Sequence, residues 1–228
     1  MKLVIVAALG TILLAGCAQD KMASKDKMAM KSGNEAHAHI GHVMTKWADT
    51  PKQWGFLPTA MMEAKIAAQH AGFAASKPGD LKYMQTHIKH VVHALNPNVI
   101  EKGPGHGYGV VEAASNAAKH IGIAAKSPGA TKNIKLHAPH VSTSAKNTAT
   151  WAKKATNLSL RVLAATSAAQ AAPMVMKIKG ITEALTAGID ANGDGKVSWE
   201  KGEGGLNVAN KHMGFMMKGE NMTKGAKM

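Results

Sequence analysis

The sequence predicts an all-α fold, a His-rich helical bundle, on three observations. Alanine, lysine, methionine and glycine dominate a chain of 228 residues in which aromatics are only 4%. With few β-branched runs, that composition favours helix over sheet. Two stretches repeat at a fixed offset of 50, each with two helix-forming runs joined by Pro-Gly, and so read as duplicated helical hairpins. A further helix–loop–helix pattern stands near the C-terminus. The length and the 45% hydrophobic content suffice for one domain, or one domain with a small appendage.

Taken in chain order, residues 1–17 read as a signal peptide rather than fold. Lys2 precedes an apolar core, Leu3 to Leu14, that is too short to span a bilayer. Leu14-Ala15-Gly16-Cys17 resembles the lipobox of bacterial lipoproteins. The resemblance implies cleavage before Cys17 and lipidation of that cysteine. With Ala18 rather than Asp following, it implies delivery to the outer membrane in Gram-negative families. Cys17 is the single cysteine, so a lipid there leaves no disulfide, thiolate site or CxxCH haem attachment. Residues 18–36 are small, charged and unpatterned and read as a flexible tether. Their methionines Met22, Met28 and Met30 suit a soft cation or reflect biased composition.

Residues 37–171 are expected to form the bundle. Helices are placed near 38–49, 58–76, 81–96, 108–126 and 131–170, the last with a kink at Pro139. Asp80 and Thr131 follow the two Pro-Gly turns and are positioned as N-caps. The glycine-rich run Gly103 to Gly109 follows no strand, so it reads as a joining loop and not a phosphate loop.

The repeat aligns 70–97 with 120–147. His70 matches His120, His87 matches His137 and His90 matches His140, whereas His93 faces Thr143. HxxHV also occurs earlier as His39 to Val43, giving HIGHV, HIKHV and HAPHV. His70 and His87 lie eight residues either side of the Pro78-Gly79 turn, hence at one height, roughly 12 Å from it at 1.5 Å per residue. His120 and His137 repeat this around Pro128-Gly129. His90 and His140 lie one turn further along the same face. If the hairpins pair as a four-helix bundle, six histidines converge, with His39 and His42 able to add two more. Metal sites in helical bundles are built from such inward-facing side chains. The bland account is a set of surface or core histidines copied by duplication. Retention of the whole set while neighbours diverge, as Asp80 to Ala130 and Tyr83 to Asn133, argues against it. His93 and His106 read as bystanders.

The expected function is binding of transition-metal ions through His39, His42, His70, His87, His90, His120, His137 and His140, for storage, buffering or delivery. Copper or zinc is favoured, with iron possible. Fifteen methionines, with Met84 one turn before His87, lean weakly to copper; methionine is also flexible core filler. Carboxylates in the repeat helices are limited to Glu63, Asp80 and Glu112, so a di-iron ExxH site has no support. The alternatives are a b-type haem or redox electron-transfer protein, clamped by two histidines, and a structural envelope lipoprotein. No nucleophile–base arrangement points to an enzyme. A formal charge of +14 often signals nucleic acid. Here the basic residues are scattered, almost all lysine, and lack interleaved aromatics. The partners expected are metal ions and the membrane, through the lipid anchor and anionic lipid, and not nucleic acid. The place expected is the cell envelope, at the outer membrane facing the periplasm or the cell surface.

Residues 172–228 read as an EF-hand-like helix–loop–helix with a Met-rich tail, on helices 174–188 and 205–217. Asp190-Ala-Asn192-Gly-Asp194-Gly195-Lys-Val197-Ser198 resembles the calcium loop of EF-hand and dockerin-like proteins. The resemblance implies Ca2+ ligands at Asp190, Asn192, Asp194 and the Lys196 carbonyl. It also implies a sharp turn at Gly195 and a short strand contact at Val197. The twelfth position, where the family has Glu, is Lys201; Glu200 stands one place early and Glu203 two late, and Glu200 is the carboxylate assigned. An Asx-rich turn needing no ion is the alternative. His212, Met213, Met216, Met217 and Met222 in the exit segment suit either copper or packing.

Overall fold

The computed structural model describes residues 35–222. Cys17 and the tether methionines lie outside them. The described chain is all-helical, with no strand among the described residues. Helix α1 spans 35–44. It is followed by α2 (Phe56–Ser76), α3 (Leu81–Leu95), α4 (Val110–Lys126), α5 (Lys132–Leu163), α6 (Ala168–Ala187) and α7 (Leu206–Gly219). No described helix is long and apolar enough to cross a membrane.

Local chemistry sets the boundaries. Asp80 caps α3 by accepting the Tyr83 N–H at 2.9 Å. Thr131 Oγ1 caps α5 by accepting the Ile134 N–H at 3.1 Å. Both caps satisfy backbone donors that the first helical turn leaves unpaired. Helix α5 runs continuously through Pro139 to Leu163. The run expected over 131–170 stops there because Ser167 starts a new helix. Its side chain accepts from the Gln170 N–H at 3.3 Å, and Gln170 Oε1 accepts from the Thr166 N–H at 3.1 Å, close to a capping box. Helix α6 therefore begins at Ala168, six residues before the expected 174.

Helix α5 is central and lies against α3, α4, α6 and α7, while α2 lies against α3, α4 and α6. The interfaces are lined with alanine: Ala60, Ala64, Ala67 and Ala71 on α2, Ala113, Ala114, Ala117 and Ala124 on α4, and Ala145, Ala152 and Ala155 on α5, all buried. Small side chains let helix axes approach closely. The helices flanking the 190s loop contribute Val175, Ile178, Leu185, Leu206 and Met213 to the same apolar cluster as Ile40 and Val43 of α1.

Glu63 explains the glycine-rich loop. It is fully buried on α2. Its Oε1 accepts the N–H groups of His106 at 3.1 Å, Tyr108 at 3.1 Å and Gly109 at 3.2 Å. Gly105, Gly107 and Gly109 have positive φ, which turns successive N–H groups toward one anion. That anion is the protein's own carboxylate, and it sits at the N-terminus of α4, where the helix dipole favours negative charge. His93 is buried under the same loop, its Nδ1 2.9 Å from the Ile100 carbonyl. This histidine, expected to take no part in metal binding, stands in no histidine cluster and anchors the loop.

Candidate metal centres

Three groups of three histidines occur among the described residues, each with one ring nitrogen per residue placed to hold a single ion. The first joins His39 and His42 of α1 to His120 of α4. The second joins His87 and His90 of α3 to His70 of α2. The third joins His137 and His140 of α5 to His212 of α7. Each is built alike. An HxxH pair puts two rings on one helix face, a turn apart, and a single histidine from another helix meets both.

In every group the contact is Nδ1 to Nδ1. His120 stands 3.0 Å from His39 and 3.2 Å from His42. His70 stands 3.0 Å from His87 and 3.3 Å from His90. His212 stands 3.1 Å from both His137 and His140. Tetrahedral ligands at about 2.0–2.1 Å from zinc are separated by about 3.3 Å, so these spacings fit one ion per group. Hydrogen bonding among the rings fits worse. The central Nδ1 has either one in-plane lone pair facing two donors or one proton facing two acceptors. A cation accepts a lone pair from all three.

Electrostatics point the same way. Burial, and then the neighbouring histidines, push the central His70, His120 and His212 down to about 4. Burial also lowers His42, His87, His90 and His140. At neutral pH the three central rings are therefore neutral, as a metal requires. Aromatic rings wall each group. Trp47 lies 4.7 Å from His42, Tyr83 4.5 Å from His87, and Trp199 4.3 Å from His140, centroid to centroid.

All eight histidines expected to bind metal stand in one of these groups, but the grouping differs from the expected convergence. His70, His87 and His90 meet within one hairpin as their heights implied. His120 leaves its hairpin partners and faces α1, packed against Trp47 and Phe56 at 5.0 Å. His137 and His140 meet His212 instead. Height along a hairpin follows from counting residues; rotation about the helix axis depends on which neighbours pack there. A signal for His212 does exist in the sequence. Lys211-His212-Met213-Gly214-Phe215 matches Lys119-His120-Ile121-Gly122-Ile123 and Gln69-His70-Ala71-Gly72-Phe73. The single-histidine motif thus occurs three times, once for each HxxHV.

Some methionines serve as core, while Met62 and Met176 are exposed. Met84, Met213 and Met216 are fully buried, so the hint of copper drawn from Met84 finds a packing role.

In the 190s loop, Asp190 Oδ1 accepts from the Gly193 N–H and Oδ2 from the Gly195 N–H, both at 2.8 Å. Asn192 Oδ1 accepts from the Asp194 N–H at 2.9 Å, and Asp194 Oδ1 from the Lys196 N–H at 2.9 Å. Gly195 makes its turn at φ 80°, open to glycine at little cost. Of the two candidate carboxylates, Glu200 is exposed and Glu203 is only 3% exposed. Glu203 accepts from the Ser198 N–H at 3.0 Å. Hydrogen bonding from Ser198 holds its carboxyl below the usual range, although burial and the nearby Asp190 pull the other way. Val197 packs over Gly188, and the loop's arms are tied by the Ile189 N–H to the Glu203 carbonyl at 2.9 Å.

No protein-family model, curated protein or solved structure matches the chain. Fold and sites define it as an all-helical bundle carrying three trihistidine clusters positioned to bind metal ions.

Proposed function

We propose that the protein is a lipid-anchored envelope protein that binds transition-metal ions, one per trihistidine centre, for storage, buffering or delivery. The observation that carries this is the threefold recurrence of one Nδ1 geometry on three different pairs of helices. Duplication accounts for copied histidines, but not for three separate helix pairings that each close a triad. Three imidazoles without thiolate or thioether suit Zn2+ or Cu2+. A bis-histidine haem needs its two nitrogens on opposite sides of the iron, about 4 Å apart at bond lengths near 2 Å. The observed spacings favour a bare ion. The two longer-range centres tie α1 to α4 and α7 to α5, so loading would fasten both ends of the described chain to the bundle. Elemental analysis and calorimetric titration with zinc and copper test the reading. Three ions per chain are expected, and no bound metal on titration sinks it.

Calcium in the 190s loop belongs to the same proposal, with Asp190, Asn192, Asp194 and the Lys196 carbonyl as ligands. The burial of Glu203 beside Asp190 supports Glu203, rather than Glu200, as the closing carboxylate. A helix that starts only at Leu206 leaves room for this two-residue delay.

A further inference from the structure

Each centre offers three imidazole ligands and, among the described residues, no carboxylate within 4.0 Å of them. Among the described residues, His37 is the one histidine with a carboxylate within 4.0 Å, at Glu220, and it belongs to no triad. Metal-bound histidines commonly donate their second N–H to a carboxylate, a backbone carbonyl or water. Among the described residues no carboxylate takes that place, so a divalent ion there keeps its full charge.

A lysine stands near each centre in space or in sequence. Lys77 Nζ lies 4.2 Å from the Tyr83 ring centroid, and that ring lies 4.5 Å from His87. Lys211 directly precedes His212, with Nζ 5.9 Å from the Phe215 ring, which itself lies 5.6 Å from His137. Lys119 directly precedes the central His120.

The fourth coordination position is the remaining part. Three ligands leave one tetrahedral site open. The walls behind the triads are aromatic: Trp47 and Phe56 at the first, Phe73 and Tyr83 at the second, Trp199 and Phe215 at the third. Eight of the nine triad histidines are only partly buried, and His120 is 9% exposed, so solutes reach the ring edges.

We infer that each loaded trihistidine centre takes a small anion from solution as its fourth ligand, drawn there by the uncompensated metal charge and by Lys77, Lys119 or Lys211. This rests on the reading that the triads hold metal. Its consequence is exchange: an ion held by three imidazoles and a replaceable anion passes to an incoming anionic ligand without unfolding the site. No bond to carbon is made or broken and no electron moves; one ligand replaces water or another anion.

The test uses the full chain loaded with Co2+, whose visible ligand-field bands report coordination number and ligand type. Azide and thiocyanate are titrated in at low ionic strength. The expected result is a saturable change of the bands with cobalt stoichiometry held at three. The variant K77Q/K119Q/K211Q replaces three exposed side chains and leaves folding and cobalt stoichiometry intact. It should bind azide roughly two- to fivefold more weakly per centre at low salt, and the difference should vanish at high salt. Bands that form with Co2+ but ignore both anions would overturn the inference and leave the metal reading standing. An equal azide affinity in the lysine variant would overturn the role given to the lysines. Absence of cobalt bands would remove the metal reading and this inference together.

Discussion

Replacing His212 by alanine separates the third centre from the other two. His212 Nδ1 lies 3.1 Å from both His137 and His140, and its removal leaves an HxxH pair on α5 with no partner from α7. The three triads share no ligand, so their contributions should add. An ion at a hundredfold excess over its Kd stabilises the folded state by about 2.7 kcal/mol. For a folded region of this size that raises Tm by about 5–11 °C per centre, and three centres give about 8 kcal/mol. H212A should therefore bind two zinc ions instead of three and lose about one third of the zinc-induced Tm shift. His106→Ala, outside every triad, should lose neither. Calorimetric stoichiometry and thermal unfolding followed by circular dichroism, with zinc or with chelator, measure both quantities. Three ions still bound to H212A, or all three lost at once in a protein that is folded without metal, would refute the assignment of separate centres.

Three further outcomes follow from the structure. Glu63→Gln replaces a buried carboxylate that accepts three backbone N–H groups through one oxygen. Hydrogen bonds to a charged group contribute about 1.5–3 kcal/mol each. E63Q should lower stability in urea by about 3 kcal/mol, and an unchanged midpoint would contradict the clamp. The metal-free protein should lose stability in acid. The central histidines have folded values of about 4 against the ordinary 6.5. Between those values the unfolded chain binds protons that the folded chain does not, so their contribution is complete above about pH 6.5, declines as pH falls, and levels off below about 4. Thermal unfolding in chelator across that window should show the decline, and H70Q/H120Q/H212Q should flatten it; equal slopes in the two proteins would exclude these histidines as its source. In the 190s loop, E203Q should abolish calcium binding by calorimetry while E200Q leaves it measurable, because only Glu203 is buried beside Asp190. The opposite ranking would return the role to Glu200.

Much of this molecule was legible from local rules. The all-helical fold followed from composition, and the turns between α2 and α3 and between α4 and α5 from Pro-Gly. The N-caps Asp80 and Thr131 were readable because a cap is a contact over three residues. So was the meeting of His70 with His87 and His90, since the two arms of one hairpin fix their heights. Ser167 and Gln170 carried a start signal of the same local kind, hidden inside a run that otherwise looked like continuous helix.

The tertiary structure decided what depends on rotation and on distant partners. His120 turns to α1 rather than to α5, and His137 and His140 await a residue more than seventy positions later. A histidine's height on a helix comes from 1.5 Å steps along the chain. Its azimuth is used only when another helix packs at that angle, and that choice is made by the alanine-lined interfaces of the whole bundle. Glu63 likewise became a loop clamp because folding brings it under N–H groups over forty residues away. The sequence alone determined which residue types were available for metal and where they recur. Packing alone determined that nine histidines close into three centres, because a triad needs three rings from two helices to meet at one point.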